Sequence, residues 1–460
     1  MSKAVDALEA EYEAASLEPP SLDQPFDPTN AAEALTVSPK VVESSLLIVA
    51  AAHQLAASVR LPGIAVMDLA MICHVPAALQ SILLGNVPEI IREAGPQGIH
   101  AKDIGKRNGM DGDKISRCLR LLATHHVFRE VHPDVWAHNR LSSILDTLKP
   151  TSMKTPEKHI GTTGFPALIE HTTDEVFRSS CLTAETLTDP KTAHSQEPTD
   201  SPFNRYFNTK TPVFEWLQAP ENRLRGIRFN IAMDGVNKLD DGESILRGFP
   251  WETLPSDAKV VDVGGGIGSV SMTVAKKFPS FRLVVQDLPN VVEKSGKEFW
   301  ASNYPEALQS GRVTLQGHSF FDPQPVKDAD LFMLRVVIHD WPGAYAVRIL
   351  KRLREAAAAG KTRLLLVDQV VAYACEDDSE LRNIPGAVSP PVPEPLLPNL
   401  GKANSPAYLG DFQARCMFAI GGQERTLANH YACAKEAGWK IVHVYTSPGS
   451  IFKHILAEAI

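Results

Sequence analysis

The sequence has no surplus of positive charge and no paired-cysteine motif. Lysine and arginine total 46 against 54 aspartates and glutamates, a formal net charge of −8. Since nucleic acids and anionic membranes are bound by basic surfaces, the sequence predicts no partner of either kind. The six cysteines follow neither CxxC nor zinc-ligand spacing, and no His or carboxylate cluster has metal-ligand spacing, so we expect reduced thiols, a cytoplasmic location and no metal.

Secretion and membrane-spanning signals are also lacking. The first twenty residues are acidic, with no basic segment followed by an apolar one, so no export is expected. The most apolar stretch, residues 61–84, includes Asp68, His74, Gln80 and Ser81 where a bilayer interior would lie. This stretch predicts a buried helix pair.

What is present is an ordinary globular composition, with 44% hydrophobic residues in a chain of 460. This length favours more than one domain. The first 37 residues contain an acidic helical run and a proline-rich tail, which predict a mobile arm. Residues 38–150 predict a helical domain, residues 151–219 a variable connection, and residues 220–460 a second domain.

Residues 99–145 predict a winged helix-turn-helix within the helical domain. Short helices around Ile104 and Ile115 are separated by a glycine turn and are followed by two strand-like segments. The second helix carries Lys114, Arg117 and Arg120, so DNA reading is an alternative. The acidic balance of the chain favours a dimerisation role instead.

From residue 259 onward, strands alternate with helices of 10 to 15 residues. This alternation predicts an α/β fold with a parallel, doubly wound sheet. The proline-rich residues 375–405 interrupt the pattern and predict an exposed insertion or lid.

A glycine-rich turn follows the strand VVDV, and Asp287 ends the next strand. In an α/β sheet such a turn binds a cofactor, and an acid at the end of the following strand accepts hydrogen bonds from a ribose. A turn that only packs a helix is the structural alternative. The spacing is GxGxG, and Ser269 stands where the dinucleotide motif has its third glycine. An NAD(P)-dependent oxidoreductase is therefore less favoured and remains the enzymatic alternative.

Four motifs, VVDVGGGIGS, VVQDLPNVVE, RVVIHDWP and GGQERTL, occur here in one order and spacing. Together they resemble the plant and fungal family of S-adenosylmethionine-dependent O-methyltransferases that act on phenols, the caffeic acid O-methyltransferase-like enzymes. The resemblance extends from about residue 75 to the C-terminus and favours fungal members of the sterigmatocystin 8-O-methyltransferase type, which methylate aromatic polyketides. It implies a Rossmann-like class I methyltransferase domain and an N-terminal winged-helix domain that forms a homodimer.

The resemblance also implies roles for individual residues. S-adenosylmethionine, which leaves as S-adenosylhomocysteine, would contact residues of the glycine turn and of the next three strand ends, namely Gly264, Gly266, Asp287, Leu288, Ser319, Phe320 and Arg335. His339 would be the general base, which suits a phenol of pKa near 10. Asp368 and Glu424 would orient the imidazole. A packed histidine, a loop-start carboxylate and a helix N-terminal charge are the respective structural alternatives.

Two positions depart from the family pattern. Ser319 stands where an aspartate usually accepts from the adenine amino group, and Arg335 stands where plant relatives often have lysine. The small aromatic phenol would contact Asp411, Met417 and Phe418, with Met233 on an aromatic-rich segment that equally suits a core. A catalytically inactive winged-helix regulator that binds S-adenosylmethionine is the non-enzymatic alternative.

Overall fold

A computed structural model describes residues 1–153, 155, 157–237, 240, 242–388, 390–417, 422–447 and 450–460. The chain forms two compact units. The first comprises Met1–Ala184 and Pro202–Leu239, and the second comprises Glu185–Ser201 and Asp240–Ile460. The boundary predicted at residues 219 and 220 falls inside the first unit, and the predicted domain limits stay predictions.

The first unit is mainly helical. Its helices are α1 (Ser2–Ala14), α2 (Ala31–Leu35), α3 (Pro39–Val59), α4 (Pro62–Met71), α5 (His74–Leu84), α6 (Val87–Ala94), α7 (Ala101–Asn108), α8 (Gly112–Ala123), α9 (Phe165–His171) and α10 (Phe177–Ser180). Helix α11 (Thr183–Thr188) crosses into the second unit, and α12 (Pro202–Tyr206), α13 (Val213–Gln218) and α14 (Arg223–Asn237) complete the first. The π-helical turn Thr172–Val176 joins α9 to α10.

Residues 99–137 contain the helix pair and strands that the sequence predicted. Strands β1 (Ile99–His100), β2 (Arg129–His132) and β3 (Val135–Ala137) form an antiparallel sheet in the order β1-β3-β2. Helix α8 begins where the Asp111 side chain accepts from the Lys114 amide, and its buried face, with Ile115 and Leu119, packs into the same core as Ile104 of α7. Arg120 pairs with Glu130 and Asp134, and Arg117 pairs with Asp113. These cations are therefore balanced by nearby carboxylates.

The segment predicted to be an arm is held along the first unit. Tyr12 of α1 is buried against Val41 of α3. The Arg140 guanidinium donates to the Glu33 carboxylate at 2.8 Å, and the Phe26 amide donates to the Ser143 hydroxyl at 2.8 Å. These contacts hold the N-terminal segment, which composition alone had predicted to be a mobile arm.

The prediction of a buried helix pair in residues 61–84 is wrong for the first helix, whereas α5 contributes buried residues to the core of the first unit. Helix α4 has no buried residue, and Val59, Leu61 and Leu69 are each more than 70% exposed. By length and composition, Pro39–Val59 and Pro62–Leu84 are apolar enough to cross a membrane, with mean hydropathies of 1.4 and 1.6, which by itself is weak evidence for a span. Apolar composition predicted burial, but none of the residues that the structure describes covers these side chains.

The second unit is built on a seven-stranded sheet within the described residues. Its strands are β4 (Lys259–Val263), β5 (Arg282–Asp287), β6 (Val313–Gly317), β7 (Leu331–Arg335), β8 (Arg363–Asp368), β9 (Trp439–Thr446) and β10 (Lys453–Ala459), in the order β6-β5-β4-β7-β8-β10-β9. The helices are α15 (Ser244–Arg247), α16 (Ser269–Lys277), α17 (Lys297–Asn303), α18 (Pro305–Gln309), α19 (Gly343–Ala356), α20 (Ser405–Met417) and α21 (Leu427–Glu436). The π-helical turn Val291–Gly296 precedes α17.

The sheet confirms the predicted α/β class, but it is mixed rather than wholly parallel. Strands β4 to β8 pair in parallel, whereas β10 is antiparallel to both β8 and β9. A parallel return needs a crossover connection of about a dozen residues or more, and the link between β9 and β10 is too short for one, so the pair is antiparallel. The Pro385 carbonyl accepts from the Val444 amide, so part of the proline-rich insertion packs on edge strand β9.

Candidate active site

The predicted cofactor turn joins β4 to α16. Gly264 and Gly266 have φ of +73° and +58°, which residues with a side chain rarely adopt. A Cβ on Gly265 would lie 2.6 Å from the Asp262 carboxylate, while a Cβ on Gly266 would meet no atom within 4 Å. The turn is therefore packed against the protein on one side and open at Gly266, which suits close approach of a ligand to the backbone.

Asp287 lies at the end of β5 and braces this turn. Its carboxylate accepts from the Gly266 amide at 2.9 Å and from the Leu288 amide at 2.7 Å. Burial raises the pKa of Asp287, and the two amide bonds oppose that rise. A carboxylate has about four lone-pair positions, so Asp287 keeps acceptor capacity for a ribose diol. Leu288, next in the chain, is exposed.

Of the other predicted cofactor residues, Phe320 lies near the turn and Arg335 is already paired. The Phe320 ring lies 3.7 Å from where a Cβ on Gly264 would be. Ser319 accepts from the Phe321 amide at 3.4 Å. The Arg335 guanidinium contacts the Asp240 carboxylate at 3.1 Å and lies over the Phe452 ring at 4.8 Å. Contact of Ser319 and Arg335 with the cofactor stays a prediction.

His339 lies in a 3-10 turn, Ile338–Asp340, directly after β7. The chain enters this turn through Val336, whose φ of +54° is strained for a β-branched residue. A Cβ on Gly264 would approach the Val337 side chain at 2.8 Å. The histidine turn therefore abuts the glycine turn.

Three carboxylates surround the His339 imidazole. Nδ1 donates to Glu424 Oε1 at 2.8 Å, and Nε2 lies 3.3 Å from Asp340 Oδ1. Asp368, at the end of β8, is buried, and neither of its carboxylate oxygens makes a hydrogen bond with any described residue. The structure thus brings together His339, Asp368 and Glu424, as the sequence predicted.

The electrostatics of this cluster follow from burial of excess negative charge. Burial alone would lower the pKa of His339, but Asp340, Glu424 and Asp368 outweigh it and raise that pKa to about 10. Burial raises the pKa of Asp368 to about 7, against the opposing effect of His339. The histidine is therefore a strong base that its carboxylates hold in place.

The predicted acceptor residues have different environments. Asp411, on α20, accepts from the Glu424 amide at 3.0 Å and lies 3.5 Å from Arg415, so it contacts the segment that carries Glu424. Met417 is buried at the end of α20. Met233 belongs to α14 of the first unit, and Phe418 lies outside the described residues. Their contact with an acceptor stays a prediction.

Sequence reasoning missed two residues of this cluster, Asp340 and Arg425. Each is next in the chain to a predicted residue, His339 and Glu424 respectively. Asp340 adds a carboxylate beside Nε2, and the buried Arg425 guanidinium donates to two carbonyls of the histidine turn. The motifs HDW and QERT contain both residues and were the available signal, but a sequence motif does not show the direction in which each side chain points.

A glycine turn braced by a buried acid, next to a carboxylate-held histidine, is typical of an enzyme that binds a nucleotide cofactor and uses a strong base. Among the described residues, no group of three His, Cys, Asp or Glu side chains has the arrangement of a metal site. Such a site suits proton removal from a weak acid during group transfer. Methyl transfer to an oxygen by a class I methyltransferase is one reaction of this kind.

Comparisons with known proteins identify the family. The O-methyltransferase domain model matches residues 187–384. The chain is 43% identical to 4-O-methyltransferase 1 of Phanerochaete chrysosporium, over 97% of this chain and 94% of that enzyme. It is 31% identical to sterigmatocystin 8-O-methyltransferase of Aspergillus parasiticus, over 64% of this chain and 63% of that enzyme. The solved LepI complex with SAM shares the fold, with a TM-score of 0.65, 19% identity and 100% of both chains covered.

The chain belongs to the O-methyltransferase family. It is an S-adenosylmethionine-dependent O-methyltransferase of the fungal secondary-metabolism type. The predicted family, fold class, reaction and cofactor are confirmed, and the NAD(P)-dependent alternative is not supported. The open backbone at Gly266 and the free acceptor capacity of Asp287 fit the cofactor.

Proposed function

We propose that this enzyme methylates a phenolic hydroxyl of an aromatic, polyketide-type metabolite, with His339 as the general base. The observation that carries the proposal is the contact between the two turns. Val337, two residues before His339, lies against Gly264 of the cofactor turn. A base is useful for methyl transfer only if it stands beside the reacting methyl group, and this adjacency supports that arrangement.

S-adenosylmethionine supplies an electrophilic methyl group to the attacking oxygen. The Glu424 carboxylate accepts the Nδ1 proton of His339, which leaves Nε2 as the acceptor for the phenol proton. A phenol has a pKa of about 10, so a histidine with a pKa of about 10 receives its proton with little energetic penalty. Glu424 and Asp368 stabilise the imidazolium that results.

The same carboxylates impose a pH dependence. Below its pKa, His339 carries the proton that it must be free to accept. The fraction of enzyme in the base form therefore grows as the pH rises, and kcat/KM is expected to rise with pH through the neutral range.

The test is transfer of labelled methyl from S-adenosylmethionine to hydroxylated anthraquinones, xanthones and simpler phenols, with His339→Ala beside the wild-type enzyme. Removal of a general base is expected to lower kcat by about 10²- to 10⁴-fold. Binding of S-adenosylhomocysteine, measured by calorimetry, serves as the control for an intact cofactor site. Equal rates for both proteins would show that His339 is not the base.

The exposed apolar helices support a second part of the proposal, a homodimer. Helices α3 and α4 expose large apolar side chains, among them Val59, Leu61, Val66, Leu69 and Met71. The Arg60–Asp68 ion pair lies among them at 2.9 Å, and two charges there suit a protein interface better than a bilayer. A second copy of this chain would bury the surface.

Light scattering tests the dimer directly. Leu61→Glu with Leu69→Glu is expected to convert a dimer to a monomer, whereas a glutamate at the exposed position Thr314 of β6 should leave it intact. A wild-type monomer at micromolar concentration would contradict the proposal.

Absence of nucleic-acid and membrane partners, and a cytoplasmic location, stay predictions.

A further inference from the structure

We propose that Arg425 is a positioning residue that holds His339 in its working orientation. This inference rests on the proposed role of His339 as the base. Arg425 is not assigned a contact with the reacting atoms, because its guanidinium donates to backbone carbonyls on either side of His339 and Asp340. Its effect on the reaction would pass through the imidazole.

The Arg425 side chain, which is 1% exposed, spans the turn. Nη1 donates to the Ile338 carbonyl, and Nη2 donates to the Trp341 carbonyl at 2.7 Å. These two carbonyls flank His339 and Asp340. One planar group therefore fixes both ends of the turn that carries the base.

The backbone around Arg425 is tied to the same region. The Gln423 amide donates to the His339 carbonyl at 3.0 Å, and the Val371 amide donates to the Arg425 carbonyl at 3.1 Å. Residue 371 lies three residues after Asp368, the end of β8. Glu424, between Gln423 and Arg425, is thereby held where it accepts from His339 Nδ1.

The turn needs such support because its entry is strained. Val336 has a positive φ, a conformation that is unfavourable for a β-branched residue and persists only where surrounding contacts impose it. A lysine at 425 would keep the charge but could not reach two carbonyls with one rigid fork. A displacement of about 1 Å in a catalytic group costs as much as about 10²-fold in rate.

The chain offers a matched control in Arg354. Its guanidinium also donates to two backbone carbonyls, Gly438 at 3.1 Å and Ile460 at 2.5 Å. Those carbonyls belong to the outer end of the sheet and not to the histidine turn. Arg354→Lys therefore removes the same kind of clamp without touching the base.

The experiment compares Arg425→Lys, Arg354→Lys, His339→Ala and the wild-type enzyme on two acceptors. One is the accepted phenol found in the panel, and the other is its nitro-substituted form, which is already ionised at the assay pH and needs no base. We expect Arg425→Lys to lower kcat on the ordinary phenol by about 10-fold or more, and on the ionised phenol by less than about 3-fold. Its affinity for S-adenosylhomocysteine should stay within about 2-fold of wild type, and Arg354→Lys should change neither rate.

The outcomes distinguish the positioning role of Arg425 from the role of His339 as the base. If Arg425→Lys slows both acceptors equally, the arginine is a packing residue and the proposal fails while the base stands. If His339→Ala slows both acceptors equally, the base itself is wrong and the role of Arg425 fails with it. Should Arg425→Lys not bind S-adenosylhomocysteine, Arg425→Gln replaces it in the same test, and loss of folding in both variants would overturn the proposal.

Discussion

The first unit buries Glu170, Asp174 and Glu175, and the second buries Asp368 beside His339. In the first unit each carboxylate faces at least one arginine, lysine or histidine. The basic partners are Lys158, His159, His171, Arg178, Arg225 and Arg228. In the second unit three carboxylates share one imidazole, and Asp368 makes no hydrogen bond with the described residues.

The pKa shifts have opposite directions in the two clusters. Burial opposes ionisation of Glu170, yet His159, Lys158 and Arg228 lower its pKa to about 2. Burial instead prevails at Asp368 and raises its pKa to about 7. Buried charge with enough partners is typical of a structural role, whereas buried charge without enough partners is costly to stability and is typical of functional sites.

The largest expected effect is on the saturated cluster. Arg228→Met leaves Glu170, Asp174 and Glu175 with too little positive charge, because Arg228 lies within 3.5 Å of all three. Removal of one member of a buried ionic network costs about 3–5 kcal/mol in the free energy of unfolding. Chemical denaturation measures this loss, and a value under about 1 kcal/mol would contradict a structural role for the cluster.

In the second unit, Glu424→Gln should impair catalysis more than stability. Without the carboxylate, Nδ1 of His339 loses the partner that selects its tautomer, and kcat is expected to fall by about 10²-fold. The pKa of His339 should fall as well, because one of the charges that raises it is gone. The rise of kcat/KM then moves to lower pH, and a pH–rate profile that keeps its wild-type midpoint would show that Glu424 does not act on His339.

A smaller effect on the free energy of unfolding is expected at Asp368. The sign of its pH dependence distinguishes the two clusters. Because its folded pKa of about 7 exceeds its ordinary value of 3.8, folding favours the protonated acid, and this contribution to stability is lost as the pH rises from 4 through 7. Asp368→Asn should therefore stabilise the protein by about 1–2 kcal/mol at pH 8. Glu170 has the reverse dependence, since its stabilisation is present above its ordinary pKa of 4.5 and is lost as the pH falls through about 2. Thermal unfolding of Asp368→Asn at pH 5 and pH 8 gives the measurement, and an equal change at both would refute the assignment.

The smallest effect is expected at the rim of the first cluster. Arg178 pairs with Asp174 at 2.7 Å but is 42% exposed. Solvent screens such a pair, so Arg178→Met should cost no more than about 0.5 kcal/mol. If this variant is as unstable as Arg228→Met, then the number of charges, and not their burial, sets the stability of the cluster.

Much of the site could be predicted from sequence because its residues stand at strand ends. Gly264, Asp287, His339 and Asp368 each follow or end a buried parallel strand, and such strands end at one edge of a sheet. Arg335 has the same kind of position, yet its guanidinium pairs with Asp240. Position along a strand predicts the edge where a side chain lies, but it does not predict its partner.

Other features depend on contacts that no local pattern encodes. The apolar residues of α4 resemble a buried helix in sequence, yet no described segment of the chain buries them. The proline-rich N-terminal segment is held by Glu33 and Arg140, which are more than a hundred residues apart. In both cases the outcome depends on contacts between segments that are distant in sequence.

The sequence alone determined the α/β class and the cofactor turn and singled out His339 as the candidate base, because periodicity and short motifs are local properties of a chain. The tertiary structure decided the charge environment of that base. Asp340, Asp368 and Glu424 come from three separate segments, and only their burial around one imidazole raises its pKa. Electrostatic interaction depends on distance and on the exclusion of water, and both are set by folding.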